Sequence, residues 1–244
     1  HGIVPKTVIK SVRDLIEISS STGEGHRKDG VKMKMHNITK NIGLKIMAFL
    51  RVAEYHGDNE RYTKFFWEVC CSKINERWRF YAKGGDYRQY YGNLDLVVDW
   101  SDSARQFYKS NKTSNLLNES FWYQEGITYS AVTSRGTGFR YLPKGCIFDK
   151  GGPSINVNNH LYDLIALLNS NVAKHYFWVF NPSINLQVKD VKNIPIIIPS
   201  DSQVTAQSQE CISLCKKDWD SFETSWDFEG IRWCERRAEM DKDN

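Results

Sequence analysis

None of the six prolines in this 244-residue chain adjoins another. That excludes the Asp/Asn-Pro-Pro-Tyr/Phe loop with which amino-methyltransferases grip an extruded base. No GxxxxGK[ST] run exists to cradle phosphates, no GxSxG elbow to carry a serine nucleophile, and no HExxH or Cys-His cluster to hold zinc. "RGTGFRY" (135–141) has one GxG but lacks the third glycine and preceding strand of a dinucleotide fingerprint. "DVK" (190–192) resembles the end of a nuclease site, but no Pro-Asp precedes it, and it reads as a structural linker. The six cysteines, at 70, 71, 146, 211, 215 and 234, contain no CxxC pair. The adjacent Cys70 and Cys71 suit neither an ordinary disulfide framework nor a zinc ribbon, so reduced cysteines in the cytoplasm are the simplest account. No secretory leader is visible at the start. The longest apolar stretch, residues 161–180, contains Asp163, Asn169, Ser170, Asn171, Lys174 and His175. So many polar groups are costly in a bilayer, which makes it a buried helix rather than a membrane span. The chain is catalytically empty and is expected to be inactive alone.

Hydrophobic residues make up 41% and charged residues 25%, an ordinary globular mix. The length suits one large domain or two small ones and buries a core without staples. The net charge of +4 is unevenly spread. Residues 61–160 carry 14 Lys and Arg against 9 Asp and Glu, whereas residues 161–244 carry 9 against 13. A basic middle and an acidic end fit a polyanion-facing centre, or simply a solvated surface of uneven charge.

Apolar periodicity predicts helices over 7–18, 37–53, 161–177 and 204–216. Short β-type runs punctuated by glycine predict strands at "LDLVVDW" (94–100), "GITYSAV" (126–132), "FRYL" (139–142) and "CIFD" (146–149). "NIPIIIP" (193–199) reads as a buried strand confined to an edge by its prolines. Ser101 to Ser120 is polar, a loop or an irregular helix. The fold class is therefore α+β, a twisted mixed or antiparallel sheet with flanking helices. Three regions follow: a helical segment 1–53, a central domain 54–200, and a helical, acidic segment 201–244.

The stretch 78–100 sets Arg77, Arg79, Lys83 and Arg88 among Tyr81, Tyr87, Tyr90 and Tyr91, with Gly84-Gly85 free to adopt positive φ. Lys and Arg neutralise phosphates, while Gln89 and Asn93 are side chains able to read base edges. Arg135, Arg140, Lys144 and Lys150 repeat the pattern among Phe139, Tyr141 and Phe148. The competing reading is a glycine turn between two aromatic-rich strands with solvated basic residues. Trp219, Phe222 and "ETSWDF" (223–228) read as an amphipathic packing segment whose acidic groups repel phosphate.

Five segments then occur in a telling order: "GDNERYTKFFWEV" (57–69), "WRFYAKGGDYRQYYGNLDLVVDW" (78–100), "GITYSAVTSRGTGFRYLPKGCIFDKGG" (126–152), "LLNSNVAKHYFWVFNPSINLQVKDVKNIPI" (167–196) and "KKDWDSFETSWDF" (216–228). They resemble the region that follows the catalytic domain in the PglX family, the adenine-specific DNA methyltransferases of BREX phage-defence systems. That family is similar to type IIL restriction-modification enzymes. The pattern K-G-G-x-[FY]-R-x-[WY]-Y-G-N, here Lys83 to Asn93, carries most of the specificity. The family's upstream methyltransferase domain, with its S-adenosylmethionine loop, has no counterpart here, and residues 1–50 do not resemble the family.

The resemblance implies a fragment that acts as a target-recognition domain on duplex DNA. Lys83, Arg88, Gln89, Asn93, Arg135 and Arg140 are its DNA-binding candidates, while Gly84, Gly85, Tyr91 and Gly92 are motif positions that shape the fold. It also implies S-adenosylmethionine for the full-length enzyme but no cofactor in this chain. The implied partners are the catalytic domain and other defence proteins, with no membrane. Two rival readings are a protein-interaction scaffold of the same complex and a glycan-binding module using its eight tryptophans.

Overall fold

The computed structural model describes residues 45–47, 61–111, 116–196 and 202–228. All lie in the second of two units into which the chain divides, residues 42–244. The predicted helix over 7–18 falls outside the described residues. So does most of the one over 37–53, but Lys45–Met47 within it is a strand, β1. Its short apolar run satisfies either periodicity, and here the backbone pairs with a sheet edge.

Two four-stranded sheets form the centre. In the first, the order is β1 (Lys45–Met47), β8 (Ser154–Asn156), β5 (Gly126–Tyr129) and β6 (Phe139–Leu142), all antiparallel. In the second, the order is β2 (Thr63–Phe65), β4 (Leu96–Asp99), β3 (Trp78–Ala82) and β7 (Ile147–Phe148), with only the β3–β7 pair parallel. The α+β class read from the sequence is therefore the observed one.

In the polar stretch read as a loop or an irregular helix, helix α1 (Asp102–Ser110) forms, which settles the first half in favour of helix. Ser101 caps it by accepting from the Ala104 N–H, and Ala104 and Tyr108 face inward. The Tyr108 hydroxyl donates to the Asp99 carbonyl at 2.8 Å, tying the helix back to β4. The long helix predicted over 161–177 is two: α2 (Leu161–Asn169) and α3 (Asn171–Phe180). Ser170 takes extended φ/ψ between them, and its hydroxyl accepts from the Ala173 N–H at 3.1 Å. A short helix α4 (Val188–Lys192) follows. The predicted strand over 193–199 is not formed at Asn193–Ile196, and 197–199 lie outside the described residues. Ile194 and Ile196 are buried nonetheless, so the apolar signal there reported core contact rather than sheet pairing. Helix α5 (Ser202–Trp219) packs along α2, where Thr205 donates to the buried Asp163.

The first sheet, α2, α3 and α5 share one core around Ile127, Phe139, Leu142, Ile155, Ile165 and Leu168. The second sheet and α1 enclose another, around Tyr81, Val98, Trp100, Tyr108 and Trp122.

Candidate nucleic-acid interface

The segment from Lys83 to Asn93 leaves the end of β3 and crosses to the far edge of β6. Gly84 and Gly85 take φ of 98° and 119°, a region open to glycine at little steric cost. A Cβ on Gly84 would stand 2.9 Å from the Gly151 carbonyl oxygen. Asp149 holds that opposing turn: it accepts the N–H groups of Gly151 and Gly152 at 2.7 and 2.8 Å and the Tyr81 hydroxyl at 3.0 Å. Burial raises its carboxyl above the usual range. The Gly85 carbonyl accepts from the Ser130 hydroxyl at 2.9 Å, which joins the segment to the end of β5. Tyr90 then pairs with β6 by donating to Phe139 and accepting from Tyr141, both at 2.8 Å. The Lys-Gly-Gly to Gly-Asn pattern thus staples one sheet to the other.

Most of the polar side chains in that staple are already engaged. Asn93 donates to the Asp86 carbonyl at 2.8 Å and closes the loop on itself. Gln89 donates to the Asn169 side chain at 3.2 Å. Asn169 in turn mimics a strand, accepting from the Phe139 N–H at 3.0 Å and donating to its carbonyl at 2.9 Å. Arg88 lies over the Trp219 ring, 4.7 Å from its centre, and 3.7 Å from Asp218, so it fastens α5 to the motif. Tyr91 is buried beneath Lys216, and a Cβ on Gly92 would meet Trp219 at 3.1 Å.

Arg140 is the most unusual of the six. It points inward from β6 and is 1% exposed. Its guanidinium donates to the Ser130 hydroxyl at 3.3 Å and to the Gly138 carbonyl at 3.5 Å, while among the described residues Nε has no partner and no carboxylate neutralises it. Burial, with Arg88 nearby, pushes its pKa down to about 10.

The basic residues interleaved with aromatics around the motif follow the same rule. Arg77 stacks on Trp78 and binds Asp99, and Arg79 lies over Tyr123. Arg77 and Arg79 therefore serve ring and carboxylate contacts within the domain. Lys83 is half-buried at the end of β3, near Asp149.

Arg135 differs. It is exposed on the loop 131–138 between β5 and β6. Thr133 shapes that loop, accepting from the Arg135 N–H and donating to the Gly136 carbonyl. The loop borders a half-open cleft of about 270 Å³, whose walls include Tyr87, Arg135, Lys174, Trp178, Asn181 and Ser183. The floor of this wall is the "NPSIN" turn, where Asn181 accepts from the Ser183 N–H and donates to the buried Asp190. Asp190 also accepts from the Gln187 N–H and so caps α4. Backbone bonds from Thr133 to Ile184 and from Leu186 to Ala131 lock the turn onto the loop. Lys174 and Trp178 were not among the sequence candidates, because the apolar stretch around them reads as core. Their one-turn spacing on the side of α3 away from Ala173 and Phe177 was the available signal.

No family model matches the chain. It is 30% identical over 172 residues to the adenine-specific methyltransferase BrxX of Escherichia coli O9:H4 (strain HS), covering 69% of this chain and 14% of that protein. It is 32% identical over 191 residues to the adenine-specific methyltransferase PglX of Lacticaseibacillus casei (strain Zhang), covering 70% of this chain and 16% of that one. Over most of its length, then, the chain is similar to a segment of the adenine-specific methyltransferases BrxX and PglX, spanning about one seventh of theirs.

Proposed function

We propose that this chain is the DNA target-recognition portion of an adenine-N6 DNA methyltransferase of a phage-defence system, acting on duplex DNA in the cytoplasm. The observation that carries the reading is the match of some 70% of the chain to two adenine-specific methyltransferases, with the sheet-stapling motif inside it. Among the described residues no helix is long and apolar enough to cross a membrane. The DNA contacts of this reading are the exposed Arg135 and the half-buried Lys83. Arg88, Gln89, Asn93 and Arg140 act by fixing the surface on which such contacts stand.

S-adenosylmethionine belongs to the catalytic domain of such an enzyme and does not fit the cleft here. A sulfonium cation would meet Arg135 and Lys174, and no carboxylate lines the walls. The chain is therefore expected to bind DNA without methylating it.

A second reading, docking of a partner protein such as the catalytic domain, draws on α3. There Val172, Tyr176, Val179 and Phe180 are exposed beside Ile184. Binding of the 244-residue chain to labelled mixed-sequence duplex across a salt series separates the two. Recognition requires an affinity that falls steeply with salt. A folded chain with no affinity even at low salt refutes it and favours docking.

A further inference from the structure

We infer that the cleft between the 131–138 loop and α3 takes a single unstacked nucleotide of a DNA strand. The base lies against Trp178 and Tyr87, and the phosphate against Arg135 and Lys174. This rests on the DNA-recognition reading and gives it a location that the motif itself does not.

Three observations converge on the cleft. First, its charge is uncompensated. Among the described residues Arg135 is the one arginine whose guanidinium meets no carboxylate, ring or hydroxyl, and Lys174 has no ion pair either. Elsewhere among the described residues the arginines are paired internally, so the open Arg135, with Lys174 on the same cleft, marks a surface for an anion. Second, the aromatic groups are out of the core. Trp178 is 59% and Tyr87 37% exposed, yet both line the same concavity. A base presents its flat face to such rings only when it has left its own stack. Third, the volume of about 270 Å³ lies near the lower end of small-ligand pockets, roughly 300 Å³, which suits one nucleotide and not a duplex. The walls are also pre-set. Phe177, one residue from Trp178, is stacked on Phe139 at 5.5 Å, and the Asn181 turn is fixed through Asp190. Lys174 and Trp178 lie one helical turn apart on α3, and Asn181, the extended residue that ends the helix, shares the cleft with them.

The test uses the 244-residue chain and a duplex carrying 2-aminopurine opposite an abasic site, beside the fully paired duplex. Stacking in the cleft quenches the 2-aminopurine, and the wild type binds the abasic duplex more tightly than the paired one. Trp178→Ala abolishes the quench and weakens binding to the abasic duplex about tenfold. Arg135→Ala and Lys174→Ala each make the salt slope shallower by about 1. All three positions are exposed, and circular dichroism verifies that the variants fold. If the wild type binds both duplexes alike and Trp178→Ala changes neither quench nor affinity, the cleft inference falls and the recognition reading stands. If the wild type binds no DNA, both fall. If free deoxyadenosine monophosphate binds as tightly as the abasic duplex, the ligand is a free nucleotide and the strand assignment is overturned.

Discussion

Arg140 offers the sharpest energetic prediction. It is a cation with 1% exposure and two neutral acceptors, and no counter-charge faces it among the described residues. A pKa held at about 10 instead of the usual arginine range corresponds to about 3 kcal/mol of penalty on the ionised form. The two hydrogen bonds return part of this, and the 3.5 Å contact to Gly138 returns little. Replacing Arg140 by Met keeps most of the volume and removes the charge. Ser130 stays satisfied, because its hydroxyl donates to Gly85. Arg140→Met is therefore expected to stabilise the domain by about 1–2 kcal/mol in urea unfolding at pH 7, as replacement of buried charges by apolar groups often does. The pH dependence fixes the sign independently. A base whose folded pKa is depressed binds fewer protons folded than unfolded, so wild-type stability should rise as pH climbs through about 10, and Arg140→Met should lack that rise. A destabilisation of more than about 1 kcal/mol would refute the reasoning, since it would mean Arg140 is compensated where it stands.

Other perturbations probe the staple. Gly138→Ala drives a Cβ into the Arg88 carbonyl oxygen, whereas Gly136→Ala meets nothing within 4 Å and bears only its positive φ. Thermal unfolding should show the first costing about 3 kcal/mol or more and the second about 1 kcal/mol. Asp149→Ala orphans the N–H groups of Gly151 and Gly152 and should cost about 1–3 kcal/mol, while Asp149→Asn keeps the acceptor. Because burial raises the Asp149 pKa in the folded state, wild-type stability falls as pH rises from the ordinary carboxylate value through the raised one, and Asp149→Asn should remove that loss. A double-mutant cycle on Arg88→Ala and Trp219→Ala should return a coupling of about 0.5–1 kcal/mol; additive effects would detach α5 from the motif.

Local signals carried much of the fold. "FRYL" became β6 at the stated residues, and "LDLVVDW" and "CIFD" enclose β4 and β7. In each, a short apolar run lies between turn-forming residues, and local chemistry suffices. The break at Ser170 was not legible in that way. Residues 161–177 keep helical periodicity, but Asn169 must reach the Phe139 backbone, a partner 30 residues away. "NIPIIIP" misled because buried isoleucines look alike in a strand and in an irregular core segment. The basic–aromatic pattern was legible as a pattern but not as a destination. A guanidinium suits a phosphate, an indole face or a carboxylate, and only tertiary structure shows Arg77, Arg79 and Arg88 committed to rings and carboxylates. Arg135, from the second of the two clusters, stayed open, and its cleft partners Lys174 and Trp178 come from a helix that reads as core.

The measurement that tests target recognition most directly is selection from a randomised duplex pool by the 244-residue chain, followed by sequencing of the bound fraction. Enrichment of one defined motif, weakened when Arg135 is replaced by Ala, is the expected result. Salt-dependent binding that enriches no motif over several rounds would contradict target recognition and leave a surface that holds DNA without reading it.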